Sequence, residues 1–165
     1  MKHNSTLSYY EKNSLELIER YENADVDDLH KRLLKTFTGC SSILDIGCGS
    51  GREAAFLVRN GFDVLCVDGS AEMVKHAEQA HPELKGKIEQ RIMPEDFPAD
   101  TAFDGVCAVA FFMHLTLNDL KKVLEKIFLV LKPMGRLFFS VPLSRPHLQK
   151  SGTDPSGRYF LILSR

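Results

Sequence analysis

The stretch that constrains this chain most runs Ile43-Leu44-Asp45-Ile46-Gly47-Cys48-Gly49-Ser50-Gly51-Arg52. A short apolar run of strand type passes into three glycines at alternate positions. A helical pattern follows from Arg52 to Asn60, with Ala55, Phe56 and Leu57 as its apolar part. Glycine is needed where backbone turns with positive φ or approaches a ligand too closely for a Cβ. In open α/β sheets, ligands lie beyond the carboxyl ends of strands, and this loop is at such an end. The spacing narrows the ligand further. Dinucleotide folds use G-x-G-x-x-G to lay a helix N-terminus on a pyrophosphate, but the place of the third glycine is taken by Arg52. The Gly-Lys-Ser/Thr ending of a phosphate loop is also absent. Asp45, two residues before Gly47, would repel a pyrophosphate and suits a ligand with a positive end.

Around this loop the chain alternates between strand and helix signals. The first forty residues read as helical, with Leu15, Ile18 and Tyr21 on one face. Asp25 to Asp28 offers a capping cluster for a second helix, carrying Leu29, Leu33, Leu34 and Phe37 and closed by Gly39. Phe62 to Val67 predicts the second strand. Ser70 caps a helix over Ala71 to Ala80. Ile88 to Ile92 predicts a weaker strand and Phe103 to Ala110 a strong one. Asn118 opens the longest helix, through Leu131, which Pro133 and Gly135 terminate. Leu137 to Val141 is the last clear strand. The strands are continuous apolar runs, the mark of a parallel sheet covered on both faces, and its crossovers are right-handed. The expected class is therefore α/β, an open and mainly parallel sheet with helices on both faces. No repeat, low-complexity segment or linker divides residues 1–165, so one domain is expected.

Hydrophobic residues make up 44% of the chain and the formal net charge is −1. That supports one packed core and gives no concentrated basic surface for a nucleic-acid backbone. Lys121, Lys122 and Lys126 read as a solvated helix face. Met1 to Tyr10 lacks the apolar core of a signal peptide, and no run approaches the ~20 apolar residues that cross a bilayer. These features point to the cytoplasm. Cys40, Cys48, Cys66 and Cys107 form no CxxC pair, so neither a disulfide framework nor a zinc site is expected.

Leu44-Asp45-Ile46-Gly47-Cys48-Gly49-Ser50-Gly51 resembles the first motif of class I, Rossmann-like S-adenosylmethionine-dependent methyltransferases of the small-molecule type. The resemblance runs from about Tyr9 to Phe160 and implies strand order 3-2-1-4-5. It implies S-adenosylmethionine as cofactor, S-adenosylhomocysteine as product, and a small-molecule acceptor. The loop of Gly47, Cys48, Gly49, Gly51 and Arg52 would pass under the amino-acid part, with Asp45 on the ammonium. Asp68, at the end of the second strand, would accept from the ribose hydroxyls, as its spacing also suggests. Gly69 and Ser70 belong to that turn, and Met73 would wall the adenine. Glu95, Asp96 and Phe97 resemble the loop beside the adenine edge, although Met93-Pro94 departs from the family's acid-small pair. Phe103-Asp104-Gly105-Val106 resembles the family's F-D-x-V, which puts Val109, Ala110 and Phe111 where donor and acceptor meet.

The chemistry needs little beyond alignment, because the carbon is activated by a positive sulfur and the leaving group is neutral. His114, before the long helix, is a candidate general base on the acceptor. Ser8 to Asn13 resembles the family's N-terminal helix, so residues 1–40 are expected as a lid, with Tyr10 or Tyr21 toward the methyl group. The core spans 41–141 and a tail 142–165. The family's sixth and seventh strands have no counterpart there. The fifth strand is then an exposed edge, and such edges pair with other chains. Either Tyr159 to Leu163 covers it or two copies meet there as a homodimer. The alternative function is a non-catalytic S-adenosylmethionine-binding module that needs a partner. An oxidoreductase is disfavoured by Arg52 and the glycine spacing. An amide-methylating enzyme is disfavoured by Ala110-Phe111-Phe112-Met113, which stands in place of D/N-P-P-Y/F.

Overall fold

The computed structural model describes residues 2–142 and 152–162. Helices α1 (Lys2–Glu22) and α2 (Asp27–Thr36) precede an alternation of β1 (Ser42–Ile46), α3 (Arg52–Arg59), β2 (Asp63–Asp68), α4 (Ala71–Ala80), β3 (Ile88–Gln90), β4 (Phe103–Val109), α5 (Leu117–Val130) and β5 (Leu131–Ser140). Two short strands, β6 (Gly152–Thr153) and β7 (Tyr159–Phe160), pair antiparallel. The five-stranded sheet has order β3-β2-β1-β4-β5 and is parallel throughout. The expected α/β class and strand order are those observed.

The sheet's two faces explain its continuous apolar strands. Ile43 of β1 faces one core with Leu33, Phe37, Ala54, Leu57, Val64 and Cys107. Its neighbours Leu44 and Ile46 face the other, with Val106, Ala108, Val123, Ile127 and Val130. All three β1 residues are fully buried, each worth about 1.5–3 kcal/mol of transfer free energy. Between them Asp45 is buried as well, a carboxylate in a position the pattern reserves for a hydrophobe. Asp104 staples the sheet. Its carboxylate accepts from Ser41 N, Ser42 N and Ser42 Oγ and pairs with Lys132 at 2.9 Å. Lys132 is the main reason the Asp104 pKa lies below the usual carboxylate range.

Several boundaries differ from the expectation. Leu15 is 68% exposed, and α1 instead buries Ser14, Leu17 and Ile18; it also bends at Asn13, whose backbone leaves the helical region. Thr116, not Asn118, opens α5, because its hydroxyl accepts from Asp119 N. Pro133 and Gly135 do not form a turn between helix and strand. Strand β5 begins at Leu131, directly after α5, and its pairing with β4 slips between Phe103↔Leu131 and Gly105↔Arg136. Val141 falls just outside β5, and β3 ends at Gln90.

The tail departs furthest. Tyr159 and Phe160 do not cover β5 but pair with β6 and pack over the carboxyl ends of the strands. Tyr159 N donates to Thr6 Oγ1 at 2.9 Å and Leu161 N to Met113 O at 2.7 Å. Leu163, the end of the expected covering segment, lies outside the described residues.

Candidate cofactor and acceptor cavity

The glycine loop is shaped by its neighbours. Gly47 N and Cys48 N both donate to Val67 O, at 2.8 and 3.1 Å, which ties the loop to the end of β2. Gly47 has φ +70°, and a Cβ there would drive into the Phe111 ring. Gly51 caps α3 in the left-handed region, and a Cβ would sit 2.6 Å from Leu84 Cδ1. Only glycine meets both demands at either position.

Asp68 closes the same corner. Its Oδ2 accepts from Gly49 N and its Oδ1 from Ser70 N, each at 2.9 Å. Burial raises its pKa, and those backbone donors oppose the shift. Asp45 is more perturbed. Its pKa is raised to about 8, first by desolvation and then by the charge of Glu53; the Cys107 thiol works the other way. Asp45 Oδ2 is buried and has no hydrogen-bond partner. A buried polar atom left without a partner costs stability.

That cavity measures about 340 Å³. Of the residues expected from sequence, Tyr10, Asp45, Gly47, Cys48, Gly49, Arg52, Asp68, Gly69, Val109, Ala110 and His114 line it. Gly51, Ser70, Met73, Glu95, Asp96 and Phe97 do not. Met73 lies beneath the loop, where a Cβ on Gly49 would be 3.7 Å from its Cε. Ser70 is buried as the cap of α4. Glu95 and Asp96 are exposed, Asp96 binding Ile92 N at 3.2 Å, and Phe97 is buried in the core. Ile92, Met93 and Arg91 face the cavity in their stead.

Sequence reasoning did not single out Thr6, Leu7, Arg20, Glu53 or Arg158, all of which line the cavity. Arg52 is held by Glu53, with NH2 at 2.6 Å and Nε at 2.8 Å from Oε1, and donates to the Tyr21 carbonyl. Arg20 lies over the Tyr21 ring, 5.2 Å from its centroid. Helix α1 is clasped along α4: the Glu11 carboxylate caps its N-terminus through Ala71 N at 2.7 Å, and Glu22 meets His81 at 3.2 Å at its far end.

His114 is not isolated. Its Nδ1 lies 2.9 Å from the Tyr159 carbonyl, which can only accept, so in the neutral ring Nδ1 carries the proton. Nε2 is then an acceptor, and the Tyr10 hydroxyl, 3.1 Å away, donates to it. Burial, first among its causes, pushes the Tyr10 pKa well above that of a free tyrosine, so Tyr10 keeps its proton. The pair spans 104 positions of sequence, and no local pattern could have found it.

The chain matches the family described as "Methyltransferase domain" over residues 44–139. It is 34% identical over 97 residues to magnesium-protoporphyrin O-methyltransferase of Rhodobacter capsulatus, covering 58% of this chain and 43% of that protein. It is 29% identical over 136 residues to glycine N-methyltransferase of Rattus norvegicus, covering 73% and 46%. A TehB-like SAM-dependent methyltransferase from Corynebacterium glutamicum superposes with a TM-score of 0.65 at 25% identity, covering 78% of this chain and 72% of that one. The chain spans about half the length of the curated relatives it matches.

Proposed function

The chain belongs to the methyltransferase domain family, and from that premise we propose that it binds S-adenosylmethionine in this cavity and methylates a small-molecule acceptor. The observation that carries the reading is the buried, unpartnered Asp45 Oδ2 beside the glycine loop, which fits the ammonium of that cofactor. Arg20, on α1, would meet its carboxylate, Asp68 its ribose hydroxyls, and Ile92 with Met93 its adenine. When bound, the sulfonium supplies a methyl group already activated toward attack.

The chain's own residues supply alignment and a route for the proton. Tyr10 Oη would accept the acceptor's O–H or N–H as its own proton passes to His114 Nε2. The resulting imidazolium is stabilised by the Tyr159 carbonyl at Nδ1. His114 thus acts through Tyr10 rather than directly. The non-catalytic reading is not favoured, because the matches are to proteins named as methyltransferases. No helix among the described residues is long and apolar enough to cross a membrane. The four unpaired cysteines suit the reducing cytoplasm. Strand β5 has no partner on its outer side among the described residues, and Phe139 within it is 52% exposed; that edge would pair with a second copy.

Calorimetry with S-adenosylhomocysteine tests the cofactor site. Wild type binds it and does not bind NAD. Asp68→Ala binds it about ten- to a hundredfold more weakly, the loss of a charge-assisted hydrogen bond. Unchanged affinity in that variant refutes the ribose assignment, and no binding by wild type refutes the reading. A labelled-methyl screen over small acceptors reads transfer itself.

A further inference from the structure

Four arginines line the cavity: Arg20, Arg52, Arg91 and Arg158. Three of them are ion-paired, Arg52 with Glu53, Arg91 with Glu89 at 2.7 Å and Arg158 with Asp154 at 2.9 Å. Arg158 is the one beside the Tyr10–His114 pair. It closes the turn between β6 and β7, immediately before Tyr159, whose carbonyl holds His114. Cation and Tyr10–His114 pair therefore share one wall of the cavity.

The guanidinium is fixed before any ligand arrives. Its faces lie over Tyr9, 4.7 Å from the ring centroid, and Phe160, 5.3 Å away. Nε and NH2 reach Asp154 Oδ2 at 3.1 and 2.9 Å, and Nε also reaches Ser156 Oγ at 3.1 Å. The remaining amino group, NH1, makes no hydrogen bond among the described residues. The hairpin does not need the guanidinium to close. Asp154 Oδ1 already accepts from Ser156 N, Ser156 Oγ and Arg158 N. A planar donor whose rotamer freedom is already lost, at a half-buried rim where charge is less screened than in water, suits an oxyanion.

We infer that Arg158 is the acceptor-binding residue for an anionic group, and that the acceptor is a small carboxylate whose nucleophile lies a few bonds from its charge. This rests on the methyltransferase reading. The nucleophile sits against Tyr10 while the carboxylate meets Arg158, and the shared wall limits the separation between them.

The test uses the full chain saturated with S-adenosylhomocysteine, titrated with acetate, inorganic phosphate and acetamide by ligand-observed NMR. Acetate saturates and its neutral isostere acetamide does not. Arg158→Gln weakens acetate roughly tenfold and leaves S-adenosylhomocysteine affinity within about twofold. Acetamide binding as well as acetate, or acetate unaffected by Arg158→Gln, overturns the proposal. Phosphate saturating where acetate does not overturns the carboxylate assignment. Wild type failing to bind S-adenosylhomocysteine is a failure of the underlying reading instead. Should Arg158→Gln lose its far-UV signature, Arg158→Met decides, because it keeps an unbranched stem and removes the charge. The preference for acetate over acetamide then falls, and an undiminished preference refutes the inference.

Discussion

Asp45→Asn separates two demands on one buried carboxyl. In the folded chain that group titrates at about 8, against 3.8 for an ordinary aspartate. Between those values the folded state holds a proton that the unfolded state has released. Stability therefore falls as pH rises, by about 1.4 kcal/mol per pH unit. Over the whole window the loss reaches about 6 kcal/mol, absent below pH 4 and complete above pH 8. The variant is neutral throughout, and titrating groups that do not interact with Asp45 cancel in the comparison. Urea unfolding from pH 5 to 9 is expected to show Asp45→Asn gaining on wild type steadily with pH and exceeding it by several kcal/mol at pH 9. Calorimetry gives the opposite order. At pH 8 the variant binds S-adenosylhomocysteine about ten- to a hundredfold more weakly, since a charge-assisted hydrogen bond is gone. Below pH 8 wild-type affinity climbs with pH as the carboxylate forms, and the variant's does not. A stability difference independent of pH would refute the account of Asp45.

Gly47→Ala places a Cβ in the Phe111 ring at φ +70° and is expected to cost about 1–3 kcal/mol in urea unfolding together with measurable cofactor affinity. Tyr10→Phe removes the donor to His114 Nε2; once an acceptor is found, kcat falls about ten- to a thousandfold while S-adenosylhomocysteine affinity in calorimetry stays within about twofold. Multi-angle light scattering is expected to find a dimer that Phe139→Lys converts to monomer, because a lysine blunts a pairing edge; a monomeric wild type refutes the β5 contact.

Much of the fold was legible because it is written in short-range rules. Continuous apolar strands require two covered faces, and Ile43 and Leu44 do enter separate cores. The positive φ at Gly47, Gly49 and Gly51 is a backbone demand that only glycine meets cheaply. Misjudged boundaries arose where tertiary pairing overrode a local stop signal. Pro133 and Gly135 should end a helix and open a turn, but pairing with β4 begins at Leu131 and absorbs them as an irregularity. The loop after β3 misled for a related reason. Glu95 and Asp96 have the chemistry for an adenine amino group, yet the chain turns them outward and offers Ile92 and Met93.

The sequence alone determined the α/β architecture, the glycine bend and the two carboxylates beside it, since each depends on residues within a turn or a strand of one another. Only the folded chain decided what faces that bend across the cavity. Thr6, Tyr10 and Arg20 come from one end of the chain and Arg158 from the other, with His114 between them. They meet because α1 is clasped along α4 and the β6–β7 hairpin docks on Thr6 and Met113. Contacts between such distant positions follow from the packing of whole elements, for which no spacing rule exists.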